Sequence, residues 1–188
     1  IRRCTISANQ TISSNDPSHG GGVVGGGEMI DCTIIDNSAG SGNAIPSKGG
    51  GVAGAQTIRN CLILRNHAAQ GGGVYSAGVI SNSIIAHNSA AGEGPQFGGG
   101  ATGATLVQNC LVVANFAYSD GGGLDNVTQV RNCTILANRS GSNGSGLYEC
   151  DAVSNCIIRH NYEHSYLLSQ IAACPDITYC TIEGWRSG

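Results

Sequence analysis

Residues 121–138 read GGGLDNVTQVRNCTILAN, and variants of this unit recur along the whole chain. If Cys133 is taken as the reference position, the equivalent residues follow one another at spacings of 28, 29, 22, 27, 23, 23 and 24. An Ile or Val stands two places after each reference residue, and an Asn stands five places after it, except that Trp185 replaces the Asn in the last copy. The reference positions are Cys4, Cys32, Cys61, Ser83, Cys110, Cys133, Cys156 and Cys180. Such a period indicates a repeat architecture.

The pattern inside one unit indicates short strands. Small or apolar residues alternate with mixed ones around the reference position, which is typical of a strand with one buried face. Two further apolar columns lie nine and three places upstream, and Gly, Asn and Ser separate them. All variation in length falls between the Asn and the next GGG. The sequence therefore predicts an all-β fold, a parallel β-helix of about seven coils that forms one domain over residues 1–188.

The motif pair also resembles a known family. GGG followed by Val, Ala or Leu, together with NC(T/I/L)IxxN, is similar to the GGA(I/L/V) and FxxN motifs of polymorphic outer-membrane proteins, with Ile in place of Phe. The resemblance implies a right-handed, single-stranded β-helix of the bacterial secreted or cell-surface type, and hence an extracellular or cell-surface location. The same architecture also carries pectin-lyase-like enzymes, so the resemblance implies a coil rather than a reaction.

Composition excludes several classes of function. The net charge is −3, and charged residues make up 11 % of the chain without a basic stripe, so we expect no nucleic-acid partner. No apolar run is long enough for a membrane span. Ile1 already occupies a position inside a coil, so we expect a piece of a longer protein or neighbours that cap its ends. The apolar corner at Tyr166, Leu167 and Leu168 suggests the start of such a cap or a docking point.

The conserved polar columns have structural explanations. Seven of the nine cysteines occupy the reference column, where we expect free, buried thiols in a stacked ladder. Cys150 and Cys174 stack on each other elsewhere and form the one pair worth testing for a bond. The Asn columns are expected to hold left-handed backbone at coil corners and to hydrogen-bond along the axis.

Two groups of side chains are candidates for catalysis. Asp36, Arg65 and His87 stand four places after three consecutive reference residues, so an Asp-Arg-His stack on the surface is sterically possible. A screened ion pair beside a solvent-facing His is the alternative explanation.

The tyrosines Tyr75 and Tyr148 face outward and could stack on sugars, although they lie three coils apart and are also typical of ordinary surface.

The second group is Asp120, Asp125, Glu149 and Asp151 on neighbouring coils. Several carboxylates on one face could bind Ca²⁺ or act as an acid/base pair. Residues that point inward between them could splay the side chains apart. We predict no other cofactor and no metal site, with Ca²⁺ as the only candidate ion.

An apolar stripe on the outer face of the reference strand is a candidate interaction surface. Solvent-facing strands favour polar residues, so contiguous apolar side chains suggest that another chain, another domain or a second copy covers them. We call this set the apolar stripe, and it consists of Leu62, Leu64, Ile84, Leu111, Val113 and Leu136, with Ile35 and Ile157 flanking it.

Two functional hypotheses follow. The first is a structural or adhesive scaffold that acts through its surface, with protein partners, self-association or carbohydrate as ligands. The second is a polysaccharide lyase, glycoside hydrolase or epimerase of the pectin-lyase-like type. The scattered acidic residues favour the first, so the sequence argues more for a non-enzymatic scaffold than for an enzyme.

Overall fold

The structure, a computed structural model, describes residues 1–13, 18–41, 45–164 and 169–184. These residues form short parallel strands and no helix, and the strands stack into a β-solenoid of about seven coils, as the repeat predicts. No helix that could cross a membrane is therefore found among them. The expected cap at Tyr166, Leu167 and Leu168, and Trp185 at the last Asn position, lie outside the described residues.

Each complete coil contributes one strand to each of four parallel sheets, numbered here in the order in which the coil enters them after GGG. Sheet I consists of Val23–Val24, Val52–Ala53, Val74–Tyr75, Ala101–Thr102, Leu124–Asp125, Leu147–Tyr148 and Ile171–Ala172. Sheet II consists of Glu28–Ile30, Thr57–Arg59, Val79–Ser81, Leu106–Gln108, Gln129–Arg131, Ala152–Ser154 and Asp176–Thr178. Sheet III, the reference strand, consists of Thr5–Ser7, Thr33–Ile35, Leu62–Leu64, Ile84–Ala86, Leu111–Val113, Thr134–Leu136, Ile157–Arg159 and Thr181–Ile182. Sheet IV consists of Gln10–Ser13, Ser38–Ser41, His67–Ala68, Ser89–Ala90, Phe116–Ala117, Arg139–Ser140 and Tyr162–Glu163.

The register of the sheets places equivalent residues on top of one another. Ile85 pairs with Val112, and Val112 pairs with Ile135. The amide of Thr134 donates to the carbonyl of Cys110 at 3.0 Å, which places the reference residues of these two coils on the same side of the molecule. The column assignment made from spacing alone is therefore confirmed.

The lumen is filled by the inward columns. Ile63, Ile85 and Ile135 of sheet III are fully buried, and so are Val74 and Leu124 of sheet I. Burial of a side chain of this size stabilises the fold by about 1.5–3 kcal/mol relative to leaving it in water. Because every coil presents the same apolar face to the next, the core runs unbroken along the axis.

The reference cysteines have a role that the sequence analysis did not anticipate. Each thiol lies close to the carbonyl two residues earlier, for example Cys133 Sγ to Arg131 O at 3.1 Å. Ser83 donates in the same way to Ser81 O at 2.7 Å, which explains why Ser substitutes for Cys in this column. All nine cysteines are free, so Cys150 and Cys174 are not bonded to each other.

The Asn residues five places after the reference form a buried ladder of amides. In Asn115, both the backbone N–H and Nδ2 donate to Asn138 Oδ1 at 3.0 Å, and Nδ2 also donates to Ile85 O at 2.9 Å. The pattern repeats from Asn9 to Asn161. At the end of the ladder the side chain of Gln170 takes the place of the next Asn, because its Oε1 accepts from Asn161 Nδ2 at 2.7 Å.

The expectation that this column holds left-handed backbone is wrong. Positive φ angles occur one residue earlier, at Asp36, Arg65 and His87, and in the column before the reference residue, as at Asn109 and Asn132. The buried Asn is selected for its amide, which satisfies one N–H and one carbonyl of the preceding coil, as Asn115 does for Asn88 N–H and Ile85 O. The exposed Asn before the reference residue does adopt the left-handed conformation and forms a second ladder, with Asn132 Nδ2 donating to Asn109 Oδ1 at 3.2 Å.

Candidate functional site

One outward column of sheet I carries side chains suited to binding. Parallel pairing aligns Tyr75 with Thr102, Thr102 with Asp125, and Asp125 with Tyr148 on four consecutive coils. The residue before each of them is fully buried in the lumen, as Leu124 is. Because successive residues of a strand point to opposite faces, these four side chains point outward.

These residues border a cavity of about 410 Å³, which we call the groove. Its lining comes from three adjacent columns: the residues before GGG, the outward residues of sheet I, and the corner residues that follow them. The lining residues are Gln70, Tyr75, Ser76, Phe97, Thr102, Gly103, Asp120, Asp125, Asn126, Tyr148 and Glu149. A smaller cavity of about 260 Å³ shares Tyr75 and Ser76 with it and continues along the axis towards His19.

Backbone conformation creates the groove. Ser76, Asn126 and Glu149 all have φ near +50°, so the chain turns sharply where it leaves sheet I. At the entry to the sheet, Gly121 has φ +63°, and a Cβ there would lie 2.7 Å from the Cβ of Asp125. Glycine at this position therefore leaves room for the Asp125 side chain between the two corners.

Asp125 is the most perturbed carboxyl of the groove. It exposes only 6 % of its surface, and its Oδ2 accepts a hydrogen bond from Thr102 Oγ1 at 2.5 Å. Burial raises the pKa of Asp125 to about 6, the Thr102 hydrogen bond opposes this rise, and the charges of Glu149 and Asp120 add to it. Asp125 therefore exchanges a proton near neutral pH. Among the described residues, no hydrogen-bond donor reaches its Oδ1.

The other polar groups of the groove are held in place. Asp120 Oδ1 accepts from the N–H of Asn143 at 2.7 Å and from its Nδ2 at 3.1 Å. The charge of Glu149 is the main cause of a raised pKa at the Tyr148 phenol, so this hydroxyl keeps its proton. At the opposite end, the Lys48 ammonium lies 4.9 Å from the centre of the Tyr75 ring, which is cation–π distance.

The predicted acidic group is brought together in part. Asp120, Asp125 and Glu149 line the groove, but Asp151 is exposed in the turn before sheet II and does not line it. Two residues further along the chain than Glu149, Asp151 lies beyond the inward-pointing Cys150. Tyr75 and Tyr148 were not part of the predicted acidic group. The structure places both of them in the lining of the same groove, because the cavity runs along the axis.

The predicted Asp-Arg-His stack is an ion pair with a neighbouring His. Arg65 Nε and Nη2 donate to the two carboxylate oxygens of Asp36 at 2.8 and 2.9 Å. This pairing lowers the pKa of Asp36 and raises that of Arg65, and both side chains are about half exposed. In the described part of the chain His87 makes no side-chain bond to either, and all three residues occupy the corner between sheets III and IV, away from the groove.

The apolar stripe does face outward. In Leu62–Leu64 and Leu111–Val113 the middle residue is buried and the outer two are half-buried, while Ile84 exposes 43 % of its surface. Ala86, which pairs with both Leu64 and Val113, is small and leaves a gap in the stripe. The inside–outside assignment is therefore correct, and a partner on this face stays a prediction.

Within the described ranges, no cluster of three or more His, Cys, Asp or Glu side chains is arranged so that it could hold a metal ion.

A scan against protein-family models matches none, and searches of curated proteins and of solved structures find no similar chain. The groove is therefore the feature from which the function of this chain is inferred.

Proposed function

We propose that this chain is a β-helix scaffold of the secreted or cell-surface type that holds a linear carbohydrate in the groove of sheet I. The observation that carries the proposal is the alignment of Tyr75, Thr102, Asp125 and Tyr148 on four consecutive coils along one cavity. The extracellular location and the scaffold role are supported by the likeness of the GGG and NC(T/I/L)IxxN motifs to polymorphic outer-membrane repeats.

The dimensions and chemistry of the groove favour an extended sugar chain. Tyr75 and Tyr148 are three coils apart, or about 14 Å at the spacing of about 4.8 Å between parallel strands. An aromatic ring offers an apolar face to a pyranose and a hydroxyl to its polar edge. Between the rings, the carboxyl of Asp125 and the amide of Asn126 provide acceptors and donors for sugar hydroxyls.

Buried thiols are compatible with this location. Six of the nine cysteines, including Cys110, Cys133 and Cys150, are buried in the solenoid, away from oxidants and thiols in the solvent. Burial raises the pKa of some of these thiols, such as Cys61, and a protonated thiol reacts slowly.

The test is calorimetric titration with a panel of soluble oligosaccharides of neutral, acidic and amino sugars. Tyr148→Ala is expected to weaken binding roughly ten-fold, because truncating an aromatic anchor typically costs more than 1 kcal/mol. Tyr179→Ala is the matched control, since Tyr179 is 89 % exposed and does not line the groove. If Tyr148→Ala and Tyr75→Ala both bind as tightly as the unmodified chain, the proposal is wrong.

A glycoside hydrolase is the second candidate, and the pKa of Asp125 favours it. A carboxyl with a pKa of about 6 beside a second carboxylate, here Glu149, has the properties of a general acid and its partner. Hydrolysis is measured as release of reducing ends from the same panel. If both Asp125→Asn and Glu149→Gln lose the release of reducing ends and still bind, the hydrolase is supported. If the chain binds members of the panel but releases reducing ends from none of them, only the scaffold function remains.

A further inference from the structure

We infer that the groove selects amino-sugar chains, which carry positive charge, over neutral and acidic ones. This inference rests on the carbohydrate-binding function proposed above and specifies its ligand. It concerns a cavity with aromatic ends whose interior carries an unmatched negative charge.

The charge balance of the groove is the first argument. Asp120, Asp125 and Glu149 line it, and no Lys, Arg or His does so in the part of the chain that the structure describes. Two of these three carboxyls are fixed by hydrogen bonds: Asn143 holds Asp120, and Thr102 holds Asp125. A carboxylate that is desolvated without a basic partner is stabilised by any cation that a ligand brings.

Asp125 is the second argument, because it points into the cavity and is nearly buried. It exposes 6 % of its surface, and only its Oδ2 is bonded, to Thr102, among the described residues. Its Oδ1 accepts no hydrogen bond within the described part of the chain and is not one of the buried unpaired atoms there, so this oxygen is open to a donor in the cavity. An ammonium group of a bound amino sugar would supply a charged donor at this point.

The tyrosine rings are the third argument. At one end of the groove the Lys48 ammonium lies over the Tyr75 ring at 4.9 Å, so that end already holds a positive charge and an ammonium of the ligand is favoured at the other end. At the other end Tyr148 precedes the carboxylate of Glu149, so a ring face and a negative charge stand side by side. Both features attract an ammonium group more than an uncharged N-acetyl group.

The same charges act against acidic polysaccharides. A uronate carboxylate in the groove would meet Asp120, Asp125 and Glu149, and the structure gives it no basic residue of the lining as a partner. Like charges brought to within a few ångströms in a partly buried site repel each other. The groove is therefore unsuited to acidic chains such as polygalacturonate.

The experiment compares three oligosaccharides of equal length by calorimetric titration of the intact chain at low ionic strength: oligo-glucosamine, its N-acetylated counterpart and oligo-galacturonate. The expected dissociation constants rank in that order, with the glucosamine oligomer binding roughly ten-fold more tightly than the N-acetylated one, as two partly screened ion pairs would give. Added salt should reduce this preference.

Three variants locate the effect. Glu149→Gln should reduce the preference for the glucosamine oligomer roughly three-fold, because one carboxylate is removed at constant shape. Asp151→Asn is the control, since this nearby acid lies outside the groove, and it should leave the preference unchanged. Tyr148→Ala should weaken binding of the glucosamine and N-acetylated oligomers alike.

The outcomes separate the inference from the proposed function. Suppose that the neutral or the acidic oligomer binds as tightly as the glucosamine oligomer, and that Tyr148→Ala weakens the binding of all of them. The groove then binds sugars, but the inference that it selects by charge is wrong. If no oligomer binds in a Tyr148-dependent way, the carbohydrate function itself is wrong. If Asp151→Asn lowers the preference as much as Glu149→Gln, the attraction is a general one to a chain of net charge −3, and the inference fails.

Discussion

Asn115 lies in the middle of the buried amide ladder, and its replacement by Ala tests how much that ladder stabilises the solenoid. Its Nδ2 donates to Asn138 Oδ1 and to Ile85 O, and its Oδ1 accepts from both nitrogens of Asn88. Asn115→Ala removes these four hydrogen bonds and leaves the backbone N–H of Asn88 without an acceptor in the interior, while Asn88 Nδ2 keeps only its bond to Ile63 O. At about 1 kcal/mol for each bond, the free energy of unfolding should fall by about 4 kcal/mol.

Equilibrium unfolding in urea measures this loss, with Asn109→Gly as the matched control. Asn109 belongs to the exposed ladder, donates to Asn82 at 3.2 Å, and has φ +53°, which glycine adopts without strain. The control should lose less than about 1 kcal/mol, because water can replace the exposed bonds. Equal losses in the two variants would show that the buried ladder is no stronger than the exposed one, contrary to our account.

Three further predictions concern other parts of the molecule. Leu64→Glu with Val113→Glu should leave the coil folded and weaken self-association in sedimentation experiments; unfolding without a change in association would make these residues core. Folding raises the pKa of Asp125 from its ordinary 3.8 to about 6, so the folded state binds this proton more tightly and stability falls as pH rises from about 4 to about 6. Asp125→Asn should abolish that fall, up to about 3 kcal/mol in urea unfolding, and an unchanged pH dependence would contradict the burial of this carboxyl. Alkylation of the native chain should modify Cys174 but not the buried Cys150, and a mass two hydrogens below that of the fully reduced chain would reveal a bond instead.

The coil could be predicted from the sequence because each structural requirement repeats. The inward Ile of the reference strand, replaced once by Val112, recurs in every unit, and equivalent positions stack, so the period predicts both the fold and the register. Left-handed backbone was expected in both Asn columns, and only the column before the reference residue has it. The reason is physical: Asn suits both a left-handed corner and a buried amide ladder, and its identity alone does not separate the two. Gln170 bonds to the end of the Asn ladder from a position in a different column, so the repeat does not predict this role.

The groove was only partly predictable. Asp120, Asp125 and Glu149 were grouped because they lie on neighbouring coils, and the structure brings all three to one cavity. The three-coil separation of Tyr75 and Tyr148 favoured ordinary surface for each, whereas the cavity extends along the axis and both residues line it. The sequence does contain the signal: the outward column of sheet I carries Tyr75 and Tyr148 at its third and sixth strands, with Thr102 and Asp125 between them.

Mapping of backbone amide shifts by NMR during titration with the glucosamine oligomer tests the central claim most directly. The account predicts that the largest shifts follow the groove, at Ser76, Thr102, Asn126 and Glu149, and that the outward residues of sheet III stay unchanged. Shifts concentrated on the apolar stripe, with the groove unaffected, would contradict the account and move the binding face to the other side of the coil.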